Sequence, residues 1–285
     1  MNWTSRRKRM RAILAGRSCV FPASVFDPIS VRIAQDIGFE MGMFAGSTAA
    51  MTVLGAPDLI LLTLSEFAAQ ALRINRAADF PVMADADHGY GNALNVMRTV
   101  EELQAAGIAA MTIEDTCLPR AFGEDKPRPV TIAEGVGKMR AAVAARTDPD
   151  LVILARTGAI TMTGLDDTLE RVRAYSQTGV DGIFIAGAKS RAEVDALRAA
   201  THLPLVLGAL TPELSDRAFL SSRGIPVALQ GHAPIMAAAE AVRKTMQALR
   251  DGVEPGKLEG VPGEAFIRKV TRDEAAKKAI DAFMK

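Results

Sequence analysis

The chain has 285 residues, of which 49% are hydrophobic and 24% charged, a composition typical of a globular protein with a large core. Its 34 basic and 33 acidic residues give a net charge of +1, which argues against nucleic acid as a partner. Two cysteines without zinc-ligand spacing, and no apolar stretch of about 20 residues, predict a cytoplasmic protein without a disulfide framework or a membrane span.

Short apolar runs of strand length alternate along the chain with segments whose apolar residues recur at helical spacing. A basic stretch at residues 6–11 comes first, and we interpret it as the solvated face of a short helix. The alternation that follows is typical of repeated βα units. It predicts eight strands, at residues 20–25, 41–45, 81–85, 109–114, 151–156, 182–186, 203–207 and 225–230.

Helices are predicted between these strands, among them 92–106, 168–177 and 235–250. Glycines follow several helices and precede the next strand, as residues that end a helix do: Gly38, Gly107, Gly179 and Gly224. Eight parallel strands with intervening helices close naturally into a (β/α)8 TIM barrel, an α/β fold. An open doubly wound sheet is the alternative.

We expect one domain over residues 1–285, with residues 251–285 as a C-terminal helical extension. This extension begins with a Gly/Pro-rich connection and ends in an amphipathic helix near residues 272–284. Its apolar side chains could pack on the same chain or on a neighbouring one. The extension therefore indicates a homo-oligomer.

Acidic side chains follow two adjacent predicted strands at the end where barrel enzymes build their active sites. Asp85 and Asp87 end the third strand, and Glu114 ends the fourth. Mg²⁺ prefers carboxylate oxygens together with water and substrate oxygens, so these three residues are candidate metal ligands. The alternative is that they cap the next helix or bind water in a loop.

Other polar residues at the same end are candidates for binding a substrate. Arg156 follows an apolar strand and suits a substrate carboxylate, although an ion pair with a rim carboxylate is the alternative. Ser47, after Gly46, could contact a carboxylate or oxyanion. His232 follows the last strand and could donate to a substrate oxygen or transfer a proton, and an ordinary loop histidine is the alternative. His88 either lines the site or packs in its loop.

Three motifs in series resemble those of the isocitrate lyase/phosphoenolpyruvate mutase superfamily: Asp-Ala-Asp-His-Gly-Tyr-Gly at 85–91, Thr-Ile-Glu-Asp at 112–115 and Leu-Ala-Arg-Thr at 154–157. The resemblance implies a Mg²⁺-dependent barrel acting on small 2-oxo acids, often a tetramer with C-terminal helices exchanged between subunits. It implies that Asp85 binds the metal directly, Asp87 and Glu114 bind it through water, Ser47 contacts substrate, and Arg156 holds a substrate carboxylate.

Departures from the superfamily pattern narrow the implied reaction. Cys117 comes too early to be the cysteine of the lyases' Lys-Lys-Cys-Gly-His loop, Gly158 stands where an acid usually follows Arg-Thr, and 207–209 lacks the expected Asn. Together with His232, these departures resemble the oxaloacetate decarboxylase branch. They imply decarboxylation of oxaloacetate to pyruvate and CO₂ through a metal-bound enolate, with Mg²⁺ or Mn²⁺ as the ion and His232 and Arg156 as catalytic residues.

Two other functions stay open on the sequence. One is cleavage of a C–C or P–C bond in a substituted malate or in phosphonopyruvate, although the segment after Glu114 offers little positive charge for a phosphonate. The other is a barrel that binds a 2-oxo acid without turnover. The presence of Asp85, Asp87, Glu114 and Arg156 favours an enzyme.

Overall fold

The computed structural model describes residues 3–285. Eight parallel strands form one sheet in chain order. They are β1 (Ala23–Ser24), β2 (Gly42–Phe44), β3 (Val82–Asp85), β4 (Ala110–Glu114), β5 (Val152–Thr157), β6 (Gly182–Ile185), β7 (Leu205–Leu207) and β8 (Val227–Ala228). The predicted (β/α)8 TIM barrel is therefore confirmed in strand number, order and direction, and the open doubly wound sheet is excluded.

The sheet closes through Val20, three residues before its first strand. Val20 N donates to the carbonyl oxygen of Pro226 at 2.7 Å, and Ala228 N donates to that of Val20 at 3.1 Å. This bridge joins the start of the sheet to β8. It explains why the predicted first strand, 20–25, is longer than β1: residues 21 and 22 have no ladder partner of their own.

Among the described residues there are thirteen α-helices. They are α1 (Thr4–Leu14), α2 (Pro28–Ile37), α3 (Gly46–Ala49), α4 (Leu64–Ala77), α5 (Ala93–Ala105), α6 (Ile132–Ala145), α7 (Ala159–Met162), α8 (Leu165–Tyr175), α9 (Arg191–Ala200), α10 (Arg217–Ser222), α11 (Ala233–Arg250), α12 (Glu264–Thr271) and α13 (Asp273–Phe283). The four predicted helices match α5, α8, α11 and α13, with ends within three residues. Gly38, Gly107, Gly179 and Gly224 all have positive φ, as the prediction requires.

Side chains of the strands point alternately into the barrel and outward to the helices. On β5, Val152 and Leu154 belong to the inner cluster, whereas Ile153 and Ala155 pack in the outer layer against the helices. The inner cluster also contains Met10 and Leu14 of α1. Helix α1 therefore contributes apolar side chains to the barrel interior.

The prediction that the basic stretch of α1 is a solvated face is wrong for its first two arginines. Arg6 and Arg7 are 6% and 4% exposed. Arg6 Nη1 donates to the carbonyl oxygen of Asn75, in the last turn of α4, and Arg7 Nη2 donates to that of Gln104, in the last turn of α5, both at 2.5 Å. The last carbonyls of a helix have no partner within it, so arginines that reach them can be buried at little cost.

The chain divides into two compact units, one ending at Gly231 and one formed by residues His232–Lys285. The second unit contains α11, α12 and α13. Several of its large apolar side chains are exposed in the single chain: Met236, Val242, Met246, Phe266 and Phe283. The predicted single domain with an extension from residue 251, and the predicted oligomer, stay predictions. None of the described helices is long and apolar enough to cross a membrane.

Candidate active site

The carboxyl ends of β3, β4 and β5 bring the predicted rim residues to one edge of the sheet. In the strand register, Asp85 lies beside Thr112, and Glu114 lies beside Arg156. Thr112 Oγ1 donates to Oδ1 of Asp85 at 3.2 Å. Adjacent parallel strands therefore place a carboxylate of β3, a carboxylate of β4 and a guanidinium of β5 side by side.

Arg156 bridges the two strand-end carboxylates. Its Nη1 donates to Oδ2 of Asp85, and its Nε lies 3.2 Å from Oε2 of Glu114 without the angle of a hydrogen bond. Burial lowers the pKa of Arg156, but the charges of Asp85 and Glu114 outweigh burial and raise it above the ordinary value. The ion pair that was the alternative interpretation of Arg156 is thus present in this structure.

The loop after β3 turns Asp87 toward the same place. Asp87 has φ of 46°, a left-handed conformation that is uncommon for a residue other than glycine. Its backbone NH donates to Oδ1 of Asp85 at 3.2 Å, and its carbonyl oxygen accepts from Glu114 N at 2.8 Å. A Cβ atom on Gly46 would lie 2.5 Å from Oδ1 of Asp87, so the Asp87 carboxylate lies directly against the Gly46 backbone.

Negative charge exceeds positive charge around these side chains. Burial raises the pKa of Asp87 well above its ordinary value, and the charges of Asp85, Glu114 and Asp58 raise it further, whereas Arg156 opposes them. Burial also raises the pKa of Glu114, again with Arg156 in opposition. Buried carboxylates that repel one another are stabilised in the charged form by a nearby cation. A divalent cation therefore suits this set chemically.

The spacing of the carboxylates bears on which ion they could hold. Over residues 3–285, no group of three or more His, Cys, Asp or Glu side chains is close enough to surround one ion directly. Mg²⁺ commonly takes one or two protein carboxylates and keeps several waters. Asp85 and Glu114, at the ends of two adjacent strands, could serve as such carboxylate ligands.

Sequence reasoning missed Asp58, whose charge acts on both Asp87 and Tyr90. This residue lies in the connection between β2 and α4. Site residues were expected only directly after strands, so Asp58 was not among the candidates. The only local signal is a Gly-Ala-Pro turn immediately before it.

Two aromatic side chains of the loop after β3 carry buried polar atoms without a hydrogen-bond partner, the hydroxyl of Tyr90 and Nδ1 of His88. Burial, followed by the charge of Lys138, lowers the pKa of His88 to about 4, so its imidazole is neutral near pH 7. His88 is 4% exposed and its ring lies 6.0 Å from that of Tyr90. His88 is therefore a buried, neutral residue of this loop, and whether it lines the site stays a prediction.

Ser47 and His232 complete the set of predicted residues. Ser47 is the second residue of α3, next to Gly46, and is half-buried. His232 is the first residue of the second unit and immediately precedes α11. Within the first unit, the structure thus brings together Asp85, Asp87, Glu114 and Arg156, with Ser47 one residue from the Gly46–Asp87 contact. The roles of all these residues stay predictions.

The amino-acid sequence matches a known family and named relatives along nearly its whole length. The family model described as phosphoenolpyruvate phosphomutase matches residues 10–250. A protein of Rhodopseudomonas palustris (strain BisA53) named oxaloacetate decarboxylase is 53% identical over 284 residues, which cover 100% of this chain and 98% of that protein.

Solved structures with the same fold include enzymes with small carboxylic acids bound. Oxaloacetate acetylhydrolase in complex with the inhibitor 3,3-difluorooxalacetate is 28% identical, with a TM-score of 0.86 and coverage of 98% of this chain and 97% of the other. Phosphonopyruvate hydrolase in complex with oxalate and Mg²⁺ is 29% identical, with a TM-score of 0.85 and coverage of 98% and 99%.

Proposed function

The chain belongs to the phosphoenolpyruvate phosphomutase family, and we propose on this basis that it decarboxylates oxaloacetate to pyruvate and CO₂ with a bound divalent cation. The observation that carries the proposal is the group of buried carboxylates beside one guanidinium at the ends of β3, β4 and β5. The 53% identity to an oxaloacetate decarboxylase over the full chain supports this reaction over others in the family.

Asp85, Asp87 and Glu114 would hold the cation, with Asp85 as the direct ligand and the other two acting through water. We propose Mg²⁺, with Mn²⁺ as a substitute, because both prefer carboxylate and water oxygens. The relative with oxalate and Mg²⁺ bound supports this choice. When bound, the ion supplies a Lewis acid for a chelating 2-oxo carboxylate.

The remaining proposed roles concern the substrate. Cleavage of the C3–C4 bond releases CO₂ and leaves its electron pair on C3 and the 2-oxo oxygen, so positive charge beside that oxygen lowers the barrier. Arg156 keeps its proton at any physiological pH and would hold a substrate carboxylate. Ser47 and His232 would donate to substrate oxygens. One proton, which water can supply, then adds at C3 to give pyruvate.

We propose a cytoplasmic homotetramer, organised as a dimer of dimers, as the working form. The exposed apolar side chains of the second unit favour burial against another chain, because large exposed apolar patches usually mark interaction sites. Sedimentation equilibrium would test this: a tetramer mass supports it, and a monomer at micromolar concentration contradicts it.

A second candidate is cleavage of phosphonopyruvate or a substituted malate at the same site, since solved relatives include phosphonopyruvate hydrolase and 2,3-dimethylmalate lyase. The two candidates differ in substrate preference and products. The test compares kcat/KM of the purified protein on oxaloacetate, phosphonopyruvate and 2,3-dimethylmalate with Mg²⁺, and identifies products by NMR. The proposal predicts the highest value on oxaloacetate, with pyruvate as product. Formation of acetate and oxalate from oxaloacetate, or a higher value on another substrate, contradicts it.

A further inference from the structure

A buried arginine lies beneath the connection that leads from β4 to α6. Arg171, on α8, is 5% exposed. Its Nη1 donates to Oδ2 of Asp115 at 3.0 Å and to the carbonyl oxygen of Val130 at 2.9 Å. Asp115 is the first residue after β4, and Val130 lies just before α6. One guanidinium nitrogen therefore contacts both ends of the connection.

The two ends are also joined by the backbone. Val130 N donates to the carbonyl oxygen of Asp115 at 2.7 Å, and Cys117 N donates to that of Arg128 at 2.9 Å. Thr116 and Pro129 form an isolated antiparallel bridge between them. Beyond this paired stem, most side chains are exposed, Phe122 completely. The stem thus sets the direction of the connection.

Tyr175 supports the same point from the other side. Its hydroxyl donates to Oδ2 of Asp115 at 2.7 Å. A Cβ atom on Gly135, in the first turn of α6, would overlap that hydroxyl, so α6 can approach Tyr175 only because residue 135 is glycine. Side chains of α8 and the backbone of α6 therefore meet at Asp115, the neighbour of the proposed metal residue Glu114.

We propose that Arg171 and Tyr175 are positioning residues, which hold the stem of the 116–129 connection closed and thereby fix how that connection meets the substrate at the active site. We call Arg171, Tyr175, Asp115 and Val130 the stem clamp. The clamp touches no reacting atom. It acts through Asp115, the neighbour of Glu114, so the inference rests on the proposed function. If only part of the molecules hold a closed stem, the apparent affinity for substrate falls in proportion, whereas turnover of the bound substrate does not.

Arg171→Lys and Tyr175→Phe weaken the clamp with little change in volume. Lysine keeps the positive charge beside Asp115 but lacks the planar fork that reaches several oxygens at once. The matched control is Asp167→Asn, because Asp167 accepts from Nε of the same guanidinium at 2.9 Å and takes no part in the stem. We expect KM for oxaloacetate to rise about tenfold in Arg171→Lys with kcat within about twofold, because lysine cannot reach Asp115 and Val130 as the planar guanidinium does. KM in Asp167→Asn should stay near wild type, because that variant leaves both of these bonds in place.

Hydrogen exchange of peptides covering residues 115–130 gives a second result that needs no substrate. The amides of Cys117 and Val130 are hydrogen-bonded in the stem, so they should exchange faster in Arg171→Lys and Tyr175→Phe and at the wild-type rate in Asp167→Asn. A lowered melting temperature with unchanged stem exchange, or with unchanged KM in active Arg171→Lys, overturns the proposal. If the wild type does not decarboxylate oxaloacetate, the exchange result still decides: faster stem exchange supports the clamp, and unchanged exchange overturns it.

Discussion

The carboxylate of Asp87 lies against the backbone of Gly46, at the position where any other residue would place its Cβ atom. Gly46 is the first residue of α3 and follows β2, whereas Asp87 lies in the loop after β3. The contact leaves the carboxylate fixed between a backbone and its charged neighbours. It explains why a residue without a side chain stands one position before the proposed substrate contact Ser47.

Gly46→Ala is therefore expected to displace Asp87 and to weaken Mg²⁺ binding at least about tenfold, because a site must be held within about 0.5 Å of its working geometry. Isothermal titration calorimetry of the purified protein measures this. The control is Gly137→Ala, in the interior of α6, where an added Cβ meets nothing within 4 Å. This control should gain about 0.5–1 kcal/mol in stability and keep its Mg²⁺ affinity. Wild-type Mg²⁺ affinity in Gly46→Ala would show that the contact has no role.

Asp87→Asn should stabilise the metal-free protein while reducing its response to metal. The buried Asp87 carboxylate is repelled by Asp85 and Glu114, so a neutral amide of the same shape relieves the fold. The melting temperature of the metal-free variant should rise by a few degrees, since each kcal/mol is worth about 2–4 °C in a domain of this size. Mg²⁺ should then raise it less than in wild type. A less stable metal-free variant, or an undiminished Mg²⁺ response, contradicts the assignment.

As the pH is lowered, the affinity for Mg²⁺ should begin to decrease at a higher pH than it would for carboxylates with ordinary pKa values. Protons compete with the metal for Asp87 and Glu114, whose pKa values are raised mainly by burial. In the metal-free protein, a raised folded pKa means that stability is greatest below the unfolded pKa and is lost as pH rises through the folded one. Titrations between about pH 8 and about pH 5 should show affinity already decreasing above the ordinary carboxyl pKa of about 4. A constant affinity over this range would contradict the prediction.

His232→Ala is expected to lower kcat for oxaloacetate by roughly 10²-fold or more while leaving the melting temperature near wild type, as loss of one positioned donor does. The measurement pairs steady-state kinetics with thermal unfolding. His202→Ala is the matched control, because His202 is exposed and precedes β7, at the amino end of a strand and not at the carboxyl end where the site lies. Unchanged kinetics in His232→Ala would make His232 an ordinary loop residue.

Much of the first unit could be predicted because strand ends of a barrel share one edge. Apolar runs located all eight strands, and the polar residues that follow them included Asp85, Glu114 and Arg156, which the strand register then places side by side. The exact first and last residues of the strands could not be predicted, because the hydrogen-bonded pairing of neighbouring strands, and not the pattern of side chains, decides where a strand ends. β8, for example, is two residues long where six were predicted.

The features that sequence reasoning missed depend on contacts distant in the chain. Arg6 and Arg7 have the pattern of a solvated face, and only the free carbonyls at the ends of α4 and α5 explain their burial. The charge of Asp58 raises the pKa of Asp87, although Asp58 lies in the connection between β2 and α4 and not at the end of a strand. The hydrogen bonds of Arg171 to Asp115 and Val130 join residues that are 56 and 41 positions apart in the sequence. No local pattern signals any of these contacts.

We propose that the carboxylates at the ends of β3 and β4 hold the metal with which the protein decarboxylates oxaloacetate. The most direct measurement is the initial rate of pyruvate formation from oxaloacetate by wild-type protein and by Asp85→Ala, each with Mg²⁺ and with chelator, after subtraction of the rate with Mg²⁺ alone. We predict a wild-type rate far above that background, which chelator abolishes and Asp85→Ala lacks despite a folded structure. A wild-type rate at background, or an Asp85→Ala rate equal to wild type, would contradict the claim.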